Sequence, residues 1–244
     1  MTIVFSDDFT VASDTPLESY NTSSAGYTSI LNGNNLIINS ATGRVFAEAD
    51  SLDIIYRLTA GLGNLTGDYS AAITTSYGQA GAGGYITVRN QSNGSCYDLD
   101  LGSNTGQFRL WKSVAGTFTQ IATFTGPSIA NATEFELKLK VTGTNPVVLE
   151  GFVNGVSVGT FSDSAADRLQ TGSPGFGIFR TAGNNAAYVT SFSVDDLFTT
   201  FQGSAFQYWN GSVWAVGRLK KWNGSAWEAA QVQRWNGSAW VNVP

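Results

Sequence analysis

The residues best suited to chemistry lie between Tyr85 and Lys112, where apolar side chains recur at every second position: Ile86 and Val88, Leu99 and Leu101, Phe108 and Leu110. A strand alternates its side chains between two faces, so this pattern sends Tyr85, Thr87, Arg89, Asp98, Asp100, Arg109 and Trp111 to the face opposite the core. An indole and a phenol beside carboxylates and guanidinium groups are what a saccharide site uses. The aromatic plane takes the C–H face of a sugar ring, and the charged groups take its hydroxyls. Tyr85, Arg89, Asp98, Asp100, Arg109 and Trp111 are therefore the candidate carbohydrate-binding residues. The structural alternative is cross-strand Asp–Arg pairing, with Trp111 capping the sheet edge or meeting a neighbouring subunit.

Other chemistries are removed by what the chain lacks. With no His and a single Cys, it has neither Ser-His-Asp nor Cys-His catalysis, none of the common zinc sites and no internal disulfide. No catalytic residue is assigned, and no cofactor is required. Asp7, Asp8, Asp163, Asp195 and Asp196 offer oxygens for a structural calcium ion, which takes about six to eight. Turn capping is the simpler use of such aspartates. Gly81-Ala-Gly-Gly84 opens no helix and is not a phosphate loop. The absence of a Lys/Arg run argues against nucleic acid, and no apolar stretch is long enough to insert in a membrane. Met1-Thr-Ile-Val-Phe-Ser-Asp-Asp shows no secretory signal, so folding in the cytosol of the producing cell is expected.

These side chains need a framework, and the sequence supplies strands. Segments rich in β-branched and aromatic residues recur through the first 200 positions, separated by Gly/Asn/Ser/Thr turns. Phe135-Glu-Leu-Lys-Leu-Lys-Val141 alternates throughout, as a half-buried antiparallel strand does. Phe152-Val-Asn-Gly-Val156 reads as a hairpin, because a type I′ turn needs φ > 0 at both central residues. Only Ser164–Gln170 suits a helical turn. The expectation is an antiparallel β-sandwich of about a dozen strands, with Phe5–Phe9 and Phe192–Asp196 bringing its ends together.

Charge divides the chain. Residues 1–200 carry a net −8 and residues 201–244 a net +3, which predicts a sandwich domain over 1–200 and a separate module over 201–244. Six of the seven Trp lie in that module, in three copies of W-N-G-S-x-W that repeat every 13 residues: Trp209/Trp214, Trp222/Trp227 and Trp235/Trp240. Asn-Gly predicts a two-residue turn at Asn210-Gly211, which would set Trp209 opposite Ser212. Units of this size cannot bury two indoles alone, so they must stack on one another or on another chain. The six Trp are thus the candidate assembly residues, the alternative being a β-meander whose Trp fill its own core.

Several of these segments together resemble a known superfamily. Phe5-Ser-Asp-Asp-Phe9, Tyr97-Asp-Leu-Asp-Leu, Phe108-Arg-Leu-Trp-Lys, the Phe135–Val141 strand, Val153-Asn-Gly-Val156, Asp163, Gly172–Gly177 and Ser191-Phe-Ser-Val-Asp-Asp-Leu are similar to the concanavalin A-like/laminin-G jelly roll, over about residues 1–200. The W-N-G-S-x-W repeats resemble those that close many tailed-bacteriophage virion proteins. Together the resemblances imply a non-enzymatic virion structural protein: a capsid decoration, head fibre or tail-associated adhesin, assembled in the host bacterial cytoplasm. The jelly roll would meet host surface glycan. The tail would dock on other virion proteins or form a homo-oligomer, and a trimer suits the cyclic symmetry of fibres. The alternative is a polysaccharide-degrading glycosidase or depolymerase. Glu48-Ala-Asp50-Ser-Leu-Asp53 is similar to the E-x-D-x-x-E strand of laminarinase-like glycosidases, but Asp53 stands where that strand has its second Glu.

Overall fold

A computed structural model describes residues 2–20, 26–31, 36–47, 54–59, 67–78, 82–179 and 187–197, and in the C-terminal part 205–209, 214–218, 220–222, 225, 227–229, 233–235 and 240–242. In chain order its first strands are β1 (Thr2–Asp7), β2 (Thr15–Pro16), β3 (Gly26–Leu31), β4 (Leu36–Asn39), β5 (Arg44–Ala47), β6 (Ile54–Thr59), β7 (Tyr69–Ser76) and β8 (Gly83–Asn90). They are followed by β9 (Cys96–Ser103), β10 (Gln107–Val114), β11 (Thr117–Thr125), β12 (Glu134–Thr142), β13 (Val147–Val153), β14 (Val156–Asp163), β15 (Ser173–Phe179) and β16 (Val189–Asp196).

These strands form two sheets. One has nine strands in the order β14-β13-β12-β7-β16-β5-β4-β2, with β1 also pairing β16; the other has seven, β11-β10-β9-β8-β15-β6-β3. The β1–β16 pair joins the two ends of the sandwich as the sequence predicts. The predicted strands are present, and additional ones bring the total above the expected dozen. Two-residue alternation builds the core. Phe135, Leu137, Leu139 and Val141 of β12 are buried against Ile86, Val88, Leu99, Phe108 and Leu110 of the opposite sheet. Val153 pairs Val156 across the predicted hairpin, whose Asn154 and Gly155 take φ 49° and 77°.

Two features tie the layers together at their margins. Asp7 is buried: its Oδ1 accepts the Phe9 amide and the Tyr20 hydroxyl, and its Oδ2 accepts the Tyr27 hydroxyl at 2.8 Å. Above it Phe9, Tyr27, Phe176 and Phe192 pack with ring centroids 5.4–6.2 Å apart. The second feature is the segment 164–172, which carries the chain from β14, at the edge of the nine-stranded sheet, to β15, inside the seven-stranded one. Within Ser164–Gln170 it makes one hydrogen-bonded turn, the Arg168 amide donating to the Ala165 carbonyl at 3.2 Å, and Asp163 Oδ1 accepts the Ala165 amide at 2.9 Å where the turn begins. Polar anchors hold it. Lys112 Nζ lies 2.9 Å from Asp163 Oδ2 and 2.6 Å from Asp167 Oδ1, while the Tyr97 hydroxyl donates to Asp163 at 2.6 Å and accepts the Leu169 amide.

The C-terminal residues form three separate hairpins: β17 (Ala205–Trp209) with β18 (Trp214–Arg218), β19 (Lys220–Trp222) with β20 (Trp227–Ala229), and β21 (Gln233–Trp235) with β22 (Trp240–Asn242). Register corrects the expected turn. Trp209 opposes Trp214, not Ser212, and likewise Trp222 opposes Trp227 and Trp235 opposes Trp240. Four residues rather than two connect each pair; all of them except Ser225 lie outside the described residues. By contacts the chain divides into Ile3–Leu197 and a unit of Met1–Thr2 with Phe198–Pro244.

Burial alone would push the Asp163 carboxyl up, but the hydrogen bonds from Tyr97, Lys112 and the Ala165 amide outweigh it and hold the group below its ordinary value. Its contribution to stability is therefore present above the unfolded pKa of about 3.9 and is lost as pH falls through the lower folded value. Removing one partner of a buried pair costs about 3–5 kcal/mol. Asp163→Ala should accordingly lower the unfolding free energy in urea by about that amount at neutral pH, and the gap to the parent protein should narrow below about pH 4.

Candidate functional site

Strands β8, β9 and β10 are adjacent in the seven-stranded sheet, as the alternation requires. Register sets Trp111 opposite Asp98 and Arg109 opposite Asp100, and Asp98 opposite Thr87. The six predicted residues nevertheless separate into an accessible trio and a buried one.

Asp100, Arg109 and Trp111 form the accessible group. Arg109 grips Asp100 with two parallel bonds, Nε to Oδ1 at 2.9 Å and Nη2 to Oδ2 at 2.5 Å, with the side chains 33% and 21% exposed. The guanidinium carbon lies 5.3 Å from the centroid of the Trp111 ring. Gly102 permits this arrangement, since a Cβ there would fall 2.7 Å from Arg109 Cδ. The Asp100 hydrogen bond chiefly raises the Arg109 pKa and fixes its charge. Burial pushes the Asp100 carboxyl up, against the pull of hydrogen bonds from Arg109 and Trp111. Beside Asp100 is a small cavity lined by Tyr77, Gly83, Tyr85, Phe135 and Phe179.

Tyr85, Arg89 and Asp98 are buried, which corrects the expectation that they are available to a ligand. Arg89 takes φ 57°, which breaks the alternation and carries its side chain into the end of the sandwich. There it donates to the Gln170 carbonyl at 2.6 Å and lies over the Tyr69 ring. Tyr85 belongs to an apolar cluster with Ile55 and Cys96, against which Ile30, Leu31, Phe118 and Phe179 pack. That cluster covers part of the sheet face. The far edge strand β3 comes close enough that side chains at Gly94 and Gly116 would meet the Ile30 carbonyl at 3.6 Å and Leu31 Cδ1 at 3.8 Å. Asp98, between Trp111 and Thr87, is 4% exposed.

The calcium candidates are not gathered. Asp7 and Asp163 are engaged as described, Asp8 accepts from Thr10, and Asp195 accepts from Ser70 and faces Lys138 at 3.9 Å. Among the described residues no group of three acidic, Cys or His side chains stands ready to hold a metal ion. The Asp196 side chain lies outside them, as do Glu48, Asp50 and Asp53. Among the described residues, also, no helix is long and apolar enough to cross a membrane. The Lys112 cluster was not anticipated, although Lys112 shares the inward parity of Phe108 and Leu110, and an inward Lys demands a buried carboxylate.

No family model and no curated protein matches the chain. Among solved structures, the carbohydrate-binding module CBM66 from Bacillus subtilis superposes with a TM-score of 0.52 at 15% identity, over 72% of this chain and 99% of that one. A prokaryotic β-1,3-1,4-glucanase (lichenase) derived from a mouse hindgut metagenome gives 0.48 at 11% identity, over 75% and 97%. The exoplasmic/lumenal domain of VIP36 in its Ca2+/Man2-bound form gives 0.45 at 10%, over 75% and 86%. The strand order and the likeness to the first of these give the fold as an antiparallel jelly-roll β-sandwich, followed by small Trp-rich hairpins.

The two arginines of the predicted site should behave oppositely when truncated. Arg89→Ala removes a fully buried side chain together with its bond to the Gln170 carbonyl and should lower stability by about 3 kcal/mol or more, whereas Arg109→Ala should cost only about 0–1 kcal/mol. Urea denaturation of both variants checks this division of the face.

Proposed function

We propose that the sandwich is a non-catalytic glycan-binding domain whose contact surface is Trp111 with the Arg109–Asp100 pair. The observation that carries this reading is the accessible indole beside a rigidly paired guanidinium, on a sheet face partly covered by its own apolar cluster. The indole offers an apolar plane for sugar C–H groups, and the Arg109 N–H groups not used by Asp100 offer donors to ring and hydroxyl oxygens. The likeness to a carbohydrate-binding module supports the same use of the fold. A glycosidase is the less favoured reading. Glycoside hydrolysis needs two carboxyl groups flanking the bond, and on this face Asp100 is held by Arg109 while Asp98 is buried.

The wider reading is a virion structural protein, a capsid decoration, head fibre or tail-associated adhesin. In it the sandwich is displayed toward host glycan, and the 201–244 module docks on other virion proteins or oligomerises. Support for it comes from the W-N-G-S-x-W repeats and the opposite charge of the two parts. On this reading the protein assembles in the bacterial cytoplasm and needs no cofactor.

Trp111→Ala should abolish binding to any glycan that the parent protein recognises on an array, with the melting temperature of the sandwich unchanged within a few degrees. Undiminished binding by that variant would remove the proposed face. Release of reducing ends from a recognised polysaccharide would replace the binding role by a hydrolytic one.

A further inference from the structure

The sandwich offers a second copy of this chain little to hold. Its long edge strands are each interrupted at mid-length: β11 skips Ile121 between Ala122 and Gln120 in its pairing with β10, and β14 skips Val158 between Gly159 and Ser157 in its pairing with β13. Such bulges twist an edge away from a new partner strand. Among the described residues its exposed large hydrophobics are Ile3, Val4, Val114 and Val156, which sit on one strand and two hairpin ends rather than in one patch.

The tail is built differently. Each repeat is a closed two-stranded sheet in the same register, with its two Trp directly opposed beside the connection. Directly opposed positions share a face, so in every hairpin the two Trp occupy paired positions of one face. A two-stranded hairpin is marginal alone and needs further strands or a packed apolar face. Area sets how much partner surface is required. Two indoles bring about 300–500 Å² per hairpin and six about 900–1,500 Å², against about 800 Å² per partner in a stable interface. One hairpin falls short of that figure, two reach its margin and three exceed it.

We infer that the three W-N-G-S-x-W hairpins are equivalent and individually insufficient contacts in a tail-to-tail interface between copies of this chain, formed through the opposed pairs Trp209/Trp214, Trp222/Trp227 and Trp235/Trp240. This rests on the proposed assembly role of the tail and adds to it the partner and the way affinity is divided. Because each tail carries a net +3, copies repel at long range and associate through apolar surface. Added salt therefore strengthens the association or leaves it unchanged. Binding of the tail to an acidic surface, such as a neighbour's sandwich with its net −8 or an anionic polymer, would weaken instead.

The test is sedimentation velocity of the full-length protein over a concentration series, at low salt and at about 0.5 M NaCl. Two full-length variants are compared with it. Trp235→Ser/Trp240→Ser removes one contact, and the addition of Trp222→Ser/Trp227→Ser removes a second. The inference expects the parent to be a salt-resistant oligomer, the first variant to keep its stoichiometry with a dissociation constant raised about 30-fold or more, and the second to be monomeric. Unchanged circular dichroism would show that the sandwich stays folded throughout. An oligomer that dissolves in salt, or a first variant that associates as tightly as the parent, overturns the inference while leaving the tail's assembly role standing. A monomeric parent, or an oligomer that persists after deletion of residues 201–244, overturns that role itself.

Discussion

Passing the chain from the edge of one sheet into the interior of the other is the step on which the rest of the sandwich depends. Strand β15 can lie between β8 and β6 only if residues 164–172 cross the end of the molecule in one path. Beyond the turn from the Arg168 amide to the Ala165 carbonyl, the peptide groups of that segment find partners outside it. At its start Lys112 and Tyr97 hold Asp163. At its end Arg89, Gln91, Tyr69 and Asn90 donate in turn to the carbonyls of Gln170, Thr171, Gly172 and Ser173. Gly172, at φ 146°, runs so close to the Arg89 backbone that no side chain fits between them. The Gly172 and Ser173 bonds are buried, and either carbonyl left unpaired would cost about 1–3 kcal/mol. The three strands β15, β6 and β3 follow one another outward in the sheet, so an unanchored crossing would leave all of them without a place.

The candidate site follows from the same placement. Once β15 is fixed, β6 and β3 extend the sheet on its far side, and Ile55, Ile30 and Leu31 pack on Tyr85, Cys96 and Phe118. This second apolar cluster occupies ground that a flat sheet would leave open to a ligand. What remains includes the strip made by Asp100, Arg109 and Trp111, with exposed Gln120 and Thr123 of β11 opposite the last two, and there the guanidinium is caught between a carboxylate and an indole. A small surface made rigid by its own ion pair loses little entropy on meeting a sugar, which favours recognition by shape and stacking. Proton transfer by a matched pair of carboxyl groups would need a different arrangement.

How far the sequence discloses this depends on how local each determinant is. The alternation in β12, the Asn154-Gly155 turn and the neighbouring strands β8, β9 and β10 are set by residues a few positions apart, and all appear as the pattern requires. The pairing of β1 with β16 was legible because matching aromatic-acidic segments flank both ends of the domain. Parity also assigned Trp111, Arg109 and Asp100 to the correct face. It failed at Arg89 because one residue with positive φ reverses direction, and no residue type marks that position. It failed to reveal the burial of Tyr85 and Asp98 for a different reason. The Tyr85 side chain is enclosed with the help of a strand that comes from residues 26–31, and curvature of that kind is a property of the whole sheet.

The tail shows how register changes the meaning of a composition. With Trp209 opposite Ser212, each hairpin would leave its two indoles at unrelated levels, and six Trp would be six separate demands for a covering surface. With Trp209 opposite Trp214, the two positions on one face stand about 5 Å apart at Cβ, close enough to stabilise the turn between them. A cross-strand aromatic pair contributes about 0.5–1.5 kcal/mol beyond its buried area, a useful amount for a hairpin of six to ten paired residues that is marginal by itself. This explains why the spacing within a repeat is as strict as the spacing between repeats: the first sets the pair across the turn, and the second sets three equal pairs along the chain. A module built this way gains affinity by adding repeats without altering any one of them.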